Sequence, residues 1–95
     1  MCEIQITESA LADLAYLKKF EQVIILDAID RQLVTEPLTQ TRNRKPLRPN
    51  DLAQWGLRVD KYRVFYDVEG RVVKVKAVGW KEHNKLFVRG KEFIL

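Results

Sequence analysis

The chain opens on an alternation. Between Glu3 and Thr7 the apolar Ile4 and Ile6 stand between polar neighbours, the period-two signature of a short strand with one buried face. The period then lengthens. Leu11, Leu14 and Leu17 recur at spacings of three with Ala10 and Ala15 beside them, which predicts an amphipathic helix to about Lys19. Thr7 or Ser9 is its cap, because a hydroxyl there accepts a hydrogen bond from an otherwise unpaired first-turn N–H. A second helix is predicted from about Glu21 to Val34, where Val23, Leu26, the Ile29/Asp30 row and Leu33 repeat every three to four residues and Ile25 and Ala28 widen the stripe. Pro37 ends it, since the residue before a proline is held out of the helical region.

Residues 35–53 contain all three prolines and the basic run Arg42-Asn43-Arg44-Lys45, followed by Arg48. They read as a long loop, and such loops in compact domains are commonly functional. Its Arg42, Arg44, Lys45 and Arg48 fit a nucleic-acid or partner contact, or a connector kept soluble by charge. From Gln54 the period of two returns: Trp55, Leu57 and Val59, then Tyr62, Val64, Tyr66 and Val68, then Val73, Val75 and Ala77, with turns at Asp60-Lys61 and Glu69-Gly70. The expected fold is α+β in a single domain spanning residues 1–95: an N-terminal strand, a two-helix hairpin, and a three-stranded antiparallel meander completing a small twisted sheet.

The turns fix an expected register. A two-residue loop at Glu69-Gly70 sets Tyr66 against Val73, Val64 against Val75 and Tyr62 against Ala77 on one face, with Phe65 against Lys74 and Arg63 against Lys76 on the other. A loop at Asp60-Lys61 sets Leu57 against Val64 on the first face and Arg58 against Arg63 on the second. The first face is continuously apolar and suits a helical cover. The second gathers Arg58, Arg63, Lys74 and Lys76 around Phe65. Like charges opposed across strands are destabilising, so either Asp67 and acids from elsewhere compensate or this face is kept cationic to hold an anion, the reading favoured here.

Charge distribution points the same way. Residues 1–36 hold seven acids and three bases, whereas the rest holds fourteen bases and six acids, for a net charge of +4. The basic part is suited to a polyanion, nucleic acid or an acidic protein. A cationic sheet face with an aromatic ring suits single-stranded RNA, guanidiniums taking phosphates and the ring stacking on a base. Cleaving RNA further requires proton transfer. His83, in the segment GWKEHNKLFVRG after the last predicted strand, is the one side chain whose ordinary pKa suits it near neutrality. No cofactor is called for. The lone Cys2 permits neither an internal disulfide nor a cysteine-based metal site. The longest strongly apolar run, Val23-Ile24-Ile25-Leu26, falls far short of the roughly 20 residues of a membrane span, and MCEIQITE lacks the basic and apolar regions of a leader. A cytoplasmic protein is expected.

The segment LRVDKYRVFYDVEGRVVKVKAVGWKEHNKLF resembles the strand-rich half of the RelE/ParE family of bacterial toxin–antitoxin toxins, through its YR.FY strand, short turn and strand ending in VG. The resemblance implies a ribosome-dependent endoribonuclease that cuts mRNA without metal by 2′-OH attack, leaving a 2′,3′-cyclic phosphate and inhibiting translation. By position Arg63 matches the family arginine on the scissile phosphate. Arg58 falls at a basic position on the preceding strand, and Lys81 at the basic position after the VG. Gly56 stands where RelE has a second strand lysine, and Phe87 where RelE has a tyrosine. Phenylalanine stacks but exchanges no proton, which leaves His83 as the acid or base. The implied partners are a cognate antitoxin, in a toxin–antitoxin hetero-oligomer, and the ribosome with its mRNA. The alternatives within the family are a non-catalytic relative that binds antitoxin or ribosome, and a gyrase poison of the ParE kind.

Overall fold

The computed structural model describes residues 1–94. The elements run β1 (Glu3–Ile6), α1 (Glu8–Tyr16), α2 (Lys19–Leu33), β2 (Arg44–Pro46), β3 (Trp55–Val59), β4 (Tyr62–Glu69), β5 (Val72–Glu82), β6 (Lys85–Val88) and β7 (Lys91–Phe93). Both predicted helices form. Thr7 caps α1, its Oγ1 accepting from Ala10 N at 3.2 Å. The second helix begins two residues before the expected Glu21, because Glu21 itself caps it: the Lys18 N–H donates to Glu21 Oε1 at 3.1 Å.

The sheet is larger than a meander. Its seven strands follow the order β2-β3-β4-β5-β6-β7, with β1 parallel to the first half of β5. Three of these strands correct the sequence reading. The loop at 35–53 contains β2, paired with β3 through Arg44 and Leu57, Lys45 and Gly56, and Pro46 and Trp55. The segment after Glu82 folds into two further hairpins, turning at His83-Asn84 (φ 53° and 65°) and at Arg89-Gly90 (φ 51° and 79°). Left-handed backbone at both central residues is the type I′ geometry whose twist matches that of paired strands.

Register between β3 and β4 is as derived, with Arg58 opposite Arg63 and Gly56 opposite Phe65. Between β4 and β5 it is not. The turn is Gly70-Arg71, with Gly70 at φ 59° and Glu69 paired to Val72. Further along, a bulge sets Tyr66 against Val75 but Phe65 against Ala77, so Lys76 is the extra residue and Arg63 faces Gly79. The bulge reverses the second half of β5. Ala77 joins Phe65 on the open face, while Val78 turns to the helices.

The helix-covered face holds the main core, in which Ala10, Leu14, Ile25, Ile29 and Leu33 pack on Leu57, Tyr62, Val64, Tyr66, Val73, Val75 and Val78. The opposite face carries a smaller cluster of Ala53, Phe65, Ala77 and Leu86, with Leu47 and Leu52 packed against it. Asn50 shapes the loop that makes this cover. Its Oδ1 accepts from Leu52 N at 2.7 Å and Ala53 N at 3.0 Å, and its Nδ2 donates to Arg48 O and Ala53 O. Asp67 Oδ1 accepts from Gln54 N at 2.7 Å at the same edge. Half of the second face is thereby closed and half left open. Among the described residues no helix is long and apolar enough to cross a membrane.

Candidate nucleic-acid interface

The open half of the second face is a cleft of about 570 Å³. Antiparallel pairing builds its floor in rows. Arg58, Arg63 and Gly79 lie across β3, β4 and β5, and Asn43 extends that row, its carbonyl accepting from Arg58 N at 2.7 Å. The next row is Lys45, Gly56, Phe65 and Ala77. Lys81, Leu86 and Phe93 form a third at the far edge. Glycines and an alanine beside Arg63 and Phe65 leave the floor low where the cations converge. At Gly79 no larger residue fits, since a Cβ would collide with the Phe87 carbonyl oxygen.

Arg63 is held by the β3–β4 turn. One terminal nitrogen, Nη1, donates to Asp60 O and to Tyr62 O, each at 2.8 Å. Those bonds aim the guanidinium without neutralising it. Burial first, and then the neighbouring Arg58 charge, push the Arg63 pKa below its ordinary value. Among the described residues Arg42, Lys45, Arg58, Arg63 and Lys81 all line the cleft, and none has a carboxylate partner within 4.0 Å. With Lys85 at the rim, six cations share one cleft whose lining holds a single carboxylate, Glu92, and this excess of positive charge constitutes an anion site.

Of the other residues singled out from sequence, several stand elsewhere. Arg44 is buried under the C-terminal end of α2, where its Nη1 donates to Gln32 O at 2.7 Å and Glu36 O at 2.6 Å. It pairs with Leu57 on the helix side of the sheet, so it serves the fold and is not on the cationic face. Phe65 lines the cleft but is only 3% exposed, a floor under Leu47, Leu52 and Leu86 rather than a free stacking ring. Lys74 pairs with Glu69 at 3.1 Å, away from the cleft. Lys76 sits in the bulge and Arg48 on the exposed loop, neither lining the cleft.

Phe87 is turned away altogether. It pairs with Trp80 and stacks on it at 5.9 Å between ring centroids, and Trp80 stacks in turn on Tyr16 of α1. His83 occupies the exposed β5–β6 turn; its neighbours Asn84 and Lys85 line the cleft and His83 does not. Sequence reasoning missed the Leu86 and Phe93 wall, because it ended the sheet before them. The dipeptides His-Asn and Arg-Gly, each able to take left-handed backbone, were the available signal.

A second arrangement braces this rim. Asp13 of α1, 2% exposed, accepts from Val78 N at 3.0 Å through Oδ2. Its Oδ1 lies 2.8 Å from Arg89 Nε in the β6–β7 turn, an ion pair whose N–H is not well aligned for a hydrogen bond. Burial raises the Asp13 pKa above its ordinary value, opposed by the Val78 N–H and by Arg89. Helix α1 thus fixes both β5 and the hairpin that walls the cleft.

Solved structures share this architecture. The fold is similar to that in the toxin–antitoxin complex RelBE2 from Mycobacterium tuberculosis, with a TM-score of 0.72 at 24% identity over 84% of this chain and 98% of that one. It is similar also to the YoeB dimer from Staphylococcus aureus, at 0.56 and 20% identity over 86% and 97% of the two chains. The archaeal RelE–RelB complex from Pyrococcus horikoshii gives 0.55 and 20% identity over 86% and 97%. No curated protein matches the sequence significantly. The sequence itself is decisive at the family level: residues 4–84 match the model of the ParE toxin of type II toxin–antitoxin systems, parDE, and the chain belongs to the RelE/ParE family of toxins from type II toxin–antitoxin modules.

Proposed function

We propose that this toxin binds single-stranded mRNA in the cationic cleft and cuts it on the ribosome, inhibiting translation. The observation that carries the reading is the unneutralised set of Arg58, Arg63 and Lys81, flanked by Arg42 and Lys45, above a low apolar floor. In the proposed reaction the ribose 2′-oxygen attacks the adjacent phosphorus and the bond to the 5′-oxygen breaks. One product ends in a 2′,3′-cyclic phosphate and the other in a free 5′-hydroxyl. The pentacoordinate phosphorus carries extra negative charge, and fixed guanidiniums stabilise it without reorganising. Arg63, already anchored on Asp60 and Tyr62, is the first of these, with Arg58 beside it. Lys81 is a donor suited to the leaving oxygen. His83, one residue outside the lining, serves as acid or base for a strand that passes over the rim at Asn84. By family membership the expected partner is a cognate antitoxin.

A second reading, binding without cleavage, is favoured by one observation: no histidine lines the cleft, and Phe87 faces the opposite side of the sheet. The matching family model is that of the ParE toxin, and a gyrase poison of the ParE kind stays a further reading. Inducible expression separates them. Arg63→Ala should relieve growth inhibition while the purified variant melts within a few degrees of wild type; His83→Gln should abolish cleavage of mRNA but not binding. Cleavage undiminished in His83→Gln would remove His83 from the reaction, and loss of supercoiling by purified gyrase would redirect the target.

A further inference from the structure

A second cavity of about 570 Å³ lies between α2 and the β3 edge. Arg42, Asn43 and Arg58 line it and the cationic cleft alike, so the two share a wall. Its character is different. Ile24, Ala28 and Val59 supply apolar surface, and Asp27, Arg31, Gln32 and Asp60 supply polar groups. Asp27 Oδ2 accepts from Arg31 Nε at 3.0 Å, which fixes that carboxylate and leaves Oδ1 available. Asp60 has no ion pair among the described residues, although its main-chain carbonyl holds Arg63. Two carboxylates therefore stand among three guanidiniums, of Arg31, Arg42 and Arg58, and Arg31 is taken up by Asp27. A base would meet the Ile24, Ala28 and Val59 side chains, the Arg42 guanidinium and acceptors at its edge.

We infer that this cavity receives the base of the nucleotide whose phosphate lies at Arg58 and Arg63, and that it selects guanine. The inference rests on reading the cleft as a phosphate site. Carboxylates only accept, and the guanine edge presents an imino N–H and an amino group side by side, matching two carboxylate oxygens. Adenine and cytosine set their amino group beside a ring acceptor that a carboxylate repels, and uracil offers one N–H between two carbonyls. Asn43 and Gln32 amides can take guanine O6. Arg58 reaches both cavities, so one nucleotide can fill them together.

The test is an amide NMR titration of the full chain with inorganic phosphate and with each of the four nucleoside 5′-monophosphates. Phosphate should shift Arg58, Arg63 and Gly79. The guanosine nucleotide should also shift Ala28, Gln32, Asn43 and Val59, and bind about tenfold more tightly than the uridine nucleotide, the low end of what a bidentate base contact discriminates. Ile24→Trp, at a position 39% exposed, fills the cavity from outside and should bring the ratio of guanosine to uridine affinity near one. Asp60→Asn should lower the same ratio. Four nucleotides binding alike, with shifts confined to the cleft, would overturn the base site and leave the phosphate site standing. No shift with phosphate or any nucleotide would overturn both.

Discussion

Removal of Arg89 tests how the cleft is braced. Asp13 is 2% exposed, and among the described residues one of its oxygens has Arg89 at 2.8 Å as its only charged partner. Breaking a fully buried ion pair from one side costs on the order of 3–5 kcal/mol. The Arg89 side chain is 49% exposed, so water screens its half of the pair and the expected cost falls to about 1–3 kcal/mol. The cost depends on pH in a definite direction. Burial raises the folded-state pKa of Asp13 above its ordinary 3.8, and Arg89 restrains that rise. An acid whose pKa is raised by folding binds more protons folded than unfolded, so stability declines as pH climbs from the unfolded value through the folded one. Without Arg89 the folded pKa rises further and the decline extends to higher pH. Urea melts of wild type, Arg89→Ala, Asp13→Asn and the double variant at pH 5 and pH 7.5 read this directly. Arg89→Ala should lose more stability at pH 7.5 than at pH 5. Adding Asp13→Asn, which can still accept from Val78 N, should recover part of the loss. An Arg89→Ala variant within about 0.5 kcal/mol of wild type at both pH values, the scatter of ordinary surface substitutions, would refute the brace.

Arg44→Met should lower unfolding free energy by about 2–4 kcal/mol in the same melts, because the Gln32 and Glu36 carbonyls lose a charged donor in a buried place. Gly79→Ala should destabilise by about 1–3 kcal/mol through the collision with the Phe87 carbonyl, and should reduce growth inhibition as β6 shifts away from β5. RNA affinity, measured by fluorescence anisotropy with an uncleavable 2′-deoxy strand, should fall as salt rises. Arg63→Ala should flatten the logarithmic slope by about 0.7, the share of one phosphate contact on a single strand.

The parts of the fold legible in the sequence were those set by local rules. Thr7 before an apolar period of three to four gave the cap of α1, and alternation on both sides of Asp60-Lys61 gave the β3–β4 register that opposes Arg58 to Arg63. The bulge at Lys76 obeys no such rule: it sets Phe65 beside Ala77 on one face and Val78 in the core on the other, contacts that only the folded sheet contains. Arg44 shows why a basic run is a poor guide to a surface. Its neighbours Asn43 and Lys45 point to the open face, and strand alternation drives Arg44 itself inward. Phe87 follows from the same alternation once β6 is recognised, for its partner Trp80 stands on the helix side.

The most direct measurement is primer extension on mRNA from cells in which the protein is briefly induced, comparing wild type with Arg58→Ala/Arg63→Ala. Discrete stops inside translated reading frames, absent in the double variant and absent when translation initiation is blocked, are the predicted result. Growth inhibition by the wild type with intact mRNA would contradict the cleavage reading and leave the cleft as a binding site alone.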